Sequence, residues 1–194
     1  MEHWLFYLRA HMLEALGFAQ RSITSYQAAL RIKPEFHRCS NRIAYILAGL
    51  GRYAEAEPYF LTVLAADPGN ASAHFNLGYT YDKRGEFEQA IRAFSEATRL
   101  HPKLDRAWYG LGLSHAALGQ HDRAANALRE AATLQPMNPH AWYQLGMAYH
   151  TLQDRDKMDA VVMHLLRFDP KITRQLIRDA KRSDLDYLVK DLAV

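Results

Sequence analysis

Residues 141–152 read AWYQLGMAYHTL, and residues 107–118, 34 positions earlier, read AWYGLGLSHAAL. Tryptophan, leucine and glycine recur in register as Trp108, Leu111 and Gly112, then Trp142, Leu145 and Gly146. Offsets of three and four place those side chains on one face of a helix. The stretch is a helix with one committed apolar face, and its repetition raises the question of how far the period extends.

The prolines answer it. Pro34, Pro68, Pro102, Pro136 and Pro170 stand 34 residues apart, and Gly17, Gly51, Gly85 and Gly119 keep the same interval, with Gln153 in the fifth position. A constant period of this length marks a repeat array. Each period reads as two helices. In the third, His74, Leu77, Gly78 and Tyr81 share one face. Gly85 supplies the left-handed turn that ends that helix. Ala90, Phe94 and Ala97 form the apolar side of a second helix, which Pro102 stops. One such hairpin cannot bury its own apolar face, but stacked neighbours can.

The pattern resembles the tetratricopeptide repeat: W-x2-L-G-x2-Y, then A-x3-F, then P. Trp142–Tyr149 (WYQLGMAY) matches the first part in full, and Trp108–His115 (WYGLGLSH) lacks only the final tyrosine. The third unit departs only at His74. The second unit is looser, with Ser40, Ile43, Ala44 and Leu47 in the first helix but Ala56, Phe60 and Pro68 conforming. The first unit departs most, with Phe6, Arg9, Ala10, Leu13 and Ser22, and the fifth carries Met158 where a small alanine is usual. The resemblance implies an all-α, right-handed superhelical solenoid of five units over 3–172, divided 3–36, 37–70, 71–104, 105–138 and 139–172. Residues 173–194 are then expected to supply a C-terminal cap helix and a terminal amphipathic helix. In that last helix Ser183 is the N-cap, and Leu185, Leu188, Val189 and Leu192 form the apolar face.

Each first helix carries three stripes. The core stripe holds the tryptophan, leucine, glycine and tyrosine positions. The stripe that faces the preceding unit begins with Cys39, Ala73, Ala107 and Ala141, small enough for close helix approach. On the third stripe, one residue after the tryptophan position come Tyr7, Asn41, Phe75, Tyr109 and Tyr143. Five after it come His11, Tyr45, Tyr79, Leu113 and Met147, and two before it come Trp4, Arg38, Ser72, Arg106 and His140. In the family that this chain resembles, the third stripe lines a concave groove that holds a partner. Rings interleaved with Arg38, Asn41, Arg106 and His140 have the composition of interface hot spots. The expected ligand is a peptide or an amphipathic helix, and the expected role is that of an adaptor or scaffold. A clamp for the C-terminal carboxylates of chaperones is not implied, because Tyr7 and His11 stand where lysine and asparagine are needed. Nor is the asparagine ladder of sugar-transferase superhelices, whose position holds Arg42, Asn76, Gly110 and Gln144.

The N-terminal helix reads differently. Trp4–Leu8 (WLFYL) is apolar all round, and a helix of that kind expects burial all round. Leu5 and Met12 fall on the stripe that would meet a preceding unit. Trp4, Leu5, Leu8 and Met12 are therefore a candidate docking end, for a partner or for a second copy that would make the chain a homo-oligomer. Two alternative roles follow: an assembly factor or complex subunit that docks through its apolar terminal helices, and a regulatory domain of a separate enzyme.

Composition excludes several classes. The 194 residues are 49% apolar and carry a net charge of +3. Residues 1–54 hold seven bases against three acids, residues 55–70 hold three acids and no base, and no dense basic block speaks for nucleic acid. No apolar run approaches the ~18 residues of a membrane span. Cys39 is the single cysteine, which fits a reducing compartment, and with no secretory leader the expected location is cytoplasmic. Ten histidines are scattered without zinc-ligand spacing, and Gly110 and Gly112 lack the dinucleotide-binding context. No catalytic residues, metal or cofactor are expected.

Overall fold

A computed structural model describes residues 1–190. Eleven α-helices span Glu2–Ala15 (α1), Ala19–Ile32 (α2), His37–Gly49 (α3), Tyr53–Ala66 (α4), Ala71–Lys83 (α5), Phe87–Leu100 (α6), Asp105–Ala117 (α7), His121–Leu134 (α8), Pro139–Thr151 (α9), Arg155–Leu166 (α10) and Pro170–Asp179 (α11). A short 3₁₀ helix, Ser183–Leu188, follows. The chain forms two compact units, Met1–Leu100 and His101–Val194.

One turn design recurs. Gly17, Gly51, Gly85 and Gly119 all have φ between 71° and 79°, and Gln153 takes the same left-handed conformation at φ 60°. In each turn the next amide donates to the carbonyl at the tyrosine position of the first helix. The bonds are Phe18 to Leu13, Arg52 to Leu47, Glu86 to Tyr81, Gln120 to His115 and Asp154 to Tyr149, at 2.8–3.0 Å. This closes the helix end as a Schellman motif does. A further turn of the kind ends α11: Lys181 has φ 54° and the Arg182 amide donates to Ile177 at 2.9 Å.

The tryptophan position has a physical reason. Trp108 Nε1 donates to the Pro102 carbonyl at 2.8 Å, and Trp142 Nε1 donates to Pro136 at 2.9 Å. His74 Nε2 makes the same bond to Pro68 at 3.0 Å. The histidine therefore satisfies the carbonyl of the proline in the turn between the two helices. The glycine position is equally constrained. A β-carbon on Gly112 would lie 2.6 Å from Leu128 Cγ, and one on Gly78 would lie 2.7 Å from the Phe94 ring. The first and second helices thus approach within the space that a hydrogen leaves.

In the first unit Tyr26, Ile43, Leu47, Phe60 and Phe94 are fully buried. Ser22 donates to the Ala10 carbonyl at 2.8 Å between α1 and α2. Glu14 accepts from the Tyr26 hydroxyl at 2.9 Å and pairs with Arg42, so these groups tie α1, α2 and α3 together. Glu57 repeats the device with Tyr81 and Arg84. In the second unit Leu128, Leu145, Met158, Val162, Leu165, Leu176 and Ile177 form the core. The Arg182 guanidinium lies 3.7 Å from the sulfur of the buried Met158. Arg182 in turn pairs with Asp159 and Asp184, both at 2.8 Å.

The C-terminal expectation is corrected in two places. The cap helix α11 begins at Pro170, not at residue 173, because Asp169 caps it by accepting from the Ile172 amide at 2.9 Å. The next segment is a 3₁₀ helix where an amphipathic α-helix is predicted, and Ser183 is its first residue, with no capping role. Arg182 holds Asp184 through two 2.8 Å bonds immediately beside it, which fixes the entry. Leu185 and Val189 are buried against the core all the same, while Leu192 lies outside the described residues.

Candidate functional site

The two ring positions of the third stripe have different fates. In the first unit, Tyr7 on α1 is half-buried among Trp4, Tyr26 and Phe36, with centroids 5.3–5.6 Å away. Phe75 on α5 packs on Phe94 at 5.9 Å. Asn41 on α3 is exposed. The position four residues on is open: His11 is exposed, Tyr45 is 59% exposed and Tyr79 is 40% exposed. Arg38 is exposed on the same helix as Tyr45.

Both open tyrosines have cations beside them. The Arg42 guanidinium lies 6.0 Å from the Tyr45 ring centre, and Lys83 Nζ lies 5.1 Å from that of Tyr79. Tyr53, the first residue of α4, meets Tyr79 edge-on at 6.2 Å. Partial burial, and then the neighbouring Tyr79, push the Tyr53 hydroxyl pKa up. The stripe read from the sequence does not include Tyr53, which lies on a second helix. Tyr53 stands two residues after the turn glycine Gly51, at the start of α4.

In the second unit the tyrosines are more committed to packing. Tyr109 on α7 is half-buried, and desolvation raises its pKa. Tyr143 on α9 is half-buried, and its hydroxyl donates to Asp179 of α11 at 2.8 Å. Burial and then that carboxylate raise its pKa. Met147 is half-buried against the core, while Arg106 and His140 are exposed. The aromatics here stabilise the unit, and polar groups form the accessible part of the stripe.

Other reactive groups have structural roles. Cys39 is fully buried between α2 and α3, and desolvation raises its thiol to about 11, far from a reactive thiolate. His115 is buried, with Nδ1 2.8 Å from Gln120 Oε1. Among the described residues, no three His, Cys, Asp or Glu side chains are grouped to hold a metal ion. No described helix is long and apolar enough to cross a membrane.

Comparison with known proteins agrees with the repeat geometry. The sequence matches models of the tetratricopeptide repeat over residues 7–71, 41–104 and 75–132, and again over 139–172, with a related repeat model over 114–153. No curated protein sequence matches the chain at a significant level. Among solved structures, a MamA protein superposes with a TM-score of 0.78 at 20% identity, covering 99% of this chain and 97% of its own. YrrB, described as a tetratricopeptide-repeat protein with an unusual peptide-binding site, gives 0.79 at 20% identity, covering 91% and 90%. PilW, described as a type IV pilus biogenesis factor, gives 0.73 at 21% identity, covering 90% and 82%. An all-α array of helix-turn-helix units, matched by repeat models along most of its length, identifies this chain as a member of the tetratricopeptide repeat family.

Proposed function

We propose that the chain is a non-enzymatic adaptor or scaffold that binds a segment of a partner protein on the exposed face of α3 and α5. The family supports a protein-interaction module, and one observation supports this face. Tyr45 and Tyr79 occupy the same position in successive first helices and stay open to solvent, while Phe75, one turn before Tyr79, is absorbed by packing on Phe94. A ring whose fixed side chain already stands on a rigid helix loses little entropy on binding. Aromatics of this kind carry a large share of interface energy. Exposed Arg38, on the same helix as Tyr45, suits an amphipathic segment with an acidic edge. The peptide-binding site named for YrrB is a precedent within the fold, and supports no more than that mode of action here.

The test is affinity capture with mass spectrometry, comparing the native chain with the Tyr45→Ala/Tyr79→Ala variant. Proteins that are retained by the native chain and lost by the variant, at unchanged helical circular dichroism, support the face. An identical retained set removes it.

A further inference from the structure

We infer that the Tyr45/Tyr79 face takes an extended, proline-rich segment that carries acidic residues, bound as a polyproline II helix. The inference rests on the binding face proposed above and names its ligand. Spacing is the first reason. Tyr45 on α3 and Tyr79 on α5 hold the same position in successive repeats, and both are exposed. α3 and α5 touch within the first unit, and packed helices run about 8–10 Å apart. A polyproline II helix has three residues per turn and rises about 3.1 Å per residue, so prolines at i and i+3 face one way about 9.3 Å apart. One proline therefore meets each tyrosine. His11, exposed at the same position of α1, continues the row.

The chemistry around the rings separates this ligand from an α-helix. A helix docks its apolar side in a continuous apolar groove. Besides the two tyrosines and Gly49, the exposed residues of α3 and α5 are Arg38, Asn41, Ser72 and Lys83, and none is aliphatic. Isolated rings among hydrogen-bond donors suit a polyproline II backbone instead, because it makes no internal hydrogen bonds and its carbonyls need donors. Asn41, one turn before Tyr45, stands ready to donate to one. Tyr53 and Tyr79 meet at an interplanar angle of 72°, so their rings form two walls of a corner. A pyrrolidine ring of fixed conformation fits such a corner and loses little freedom on entering it. Lys83 Nζ lies over the Tyr79 ring at 5.1 Å. That contact is weak at an exposed site, so a proline ring displaces it and the ammonium turns to a ligand carbonyl.

Charge supplies the acidic component. α3 carries His37, Arg38 and Arg42 and no carboxylate. Arg42 is held by Glu14, whereas Arg38 is exposed seven residues before Tyr45, on the same face and about 10 Å along the helix. An arginine and a glutamate side chain together span that distance. A glutamate next to a ring-facing proline points a third of a turn away, toward Arg38. The segment that fits therefore repeats proline and glutamate with a third residue, and a second proline at that third place keeps it extended.

The test uses the full chain and two fluorescein-labelled peptides in anisotropy titrations. One is three tandem copies of Pro-Glu-Pro; the other is an amphipathic helical peptide of leucine, alanine and glutamate with the same charge. The proline peptide should bind at least ~10-fold more tightly than the helical one. Tyr45→Ala and Tyr79→Ala should each weaken it about tenfold, at unchanged helical circular dichroism. Arg38→Glu should weaken it roughly fivefold. Three results would each overturn the proposal: no saturable binding of the proline peptide up to about 1 mM, a helical peptide that binds as well or better, or binding indifferent to Tyr45→Ala/Tyr79→Ala. Affinity capture then separates the two readings. If that double variant still loses captured partners, the face stands and only the proline ligand is wrong; if it loses none, the face falls as well.

Discussion

Tyr79 in the first unit and Tyr109 in the second belong to the same stripe of their helices, yet their surroundings differ. Tyr79 meets solvent, with Tyr53 and Lys83 at its edges. Tyr109 is half-buried against the core of its unit. Four residues along the helix separate a side chain that is available to a partner from one already used by the fold. Tyr143 makes the same point, since α11 follows it and supplies Asp179 as the hydrogen-bond acceptor. A ring's position in the period thus predicts its face, but its neighbours decide whether that face is free.

The strongest way to break this contrast is truncation. Tyr109→Ala removes a ring from a packed surround and should destabilise the chain by about 2–3 kcal/mol, toward the lower range for aromatic truncation because the ring is only half-buried. Tyr79→Ala should change stability by about 0.5 kcal/mol or less, as exposed substitutions do. Thermal melts of the two variants side by side check it. Equal losses would mean that the two positions play one structural role.

The next effect is on binding. With a captured partner in hand, Tyr45→Ala/Tyr79→Ala should weaken the complex by about 2 kcal/mol or more, roughly thirtyfold in Kd, as truncated hot-spot aromatics do. Titration calorimetry separates this from folding, because the variant keeps its melting temperature. A variant that binds normally would move the interaction to another surface.

The fold was legible in the sequence because its signals are periodic and local. Proline and glycine recur every 34 residues, and each recurrence marks a helix end that the backbone must make. Even the departures were readable afterwards: His74 replaces a tryptophan because both present a ring N–H to the carbonyl of the preceding proline. The third stripe was legible only as a direction. Whether Tyr7, Phe75 or Tyr143 is free depends on Phe36, Phe94 and Asp179, which come from other elements and whose contact with these rings no period in the sequence shows. Tyr53 was invisible for the same reason, since it meets Tyr79 only through the stacking of α4 on α5. The 3₁₀ helix at Ser183 was missed because a local pattern of leucines cannot show that Arg182 captures Asp184.

The turns offer a smaller test within the same frame. Four of the five repeat turns place glycine in the left-handed region, and the fifth places Gln153 there. A side chain in that region costs on the order of 1 kcal/mol, part of which glycine returns through its freedom in the unfolded chain. Gln153→Gly should therefore stabilise the second unit by about 0.5–1 kcal/mol, and Gln153→Val, whose branched side chain resists positive φ, should destabilise it. Denaturant melts of the three chains check the order. A glycine variant no more stable than the native chain would show that the surroundings of Gln153 relieve the strain.

The smallest effect concerns His115, which holds the position occupied by Tyr81 in the third unit and Tyr149 in the fifth. Desolvation lowers its pKa, the nearby Arg123 adds to the lowering, and the bond to Gln120 opposes it. The Gln120 oxygen can only accept, so His115 Nδ1 donates in this bond. Below the ordinary histidine pKa of about 6.5, the unfolded chain gains a proton that the folded chain resists. The stabilising contribution of His115 is therefore complete above that pH and declines as pH falls through it. Tyrosine at 115 restores the family's residue and has no such transition, so His115→Tyr should flatten the fall in melting temperature between about pH 7.5 and 5.5. The remaining histidines are common to both proteins, and the difference between the two curves isolates this one. Parallel curves would mean that His115 is protonated as readily in the folded chain as in the unfolded one, and that its burial has no consequence for the pH dependence of the fold.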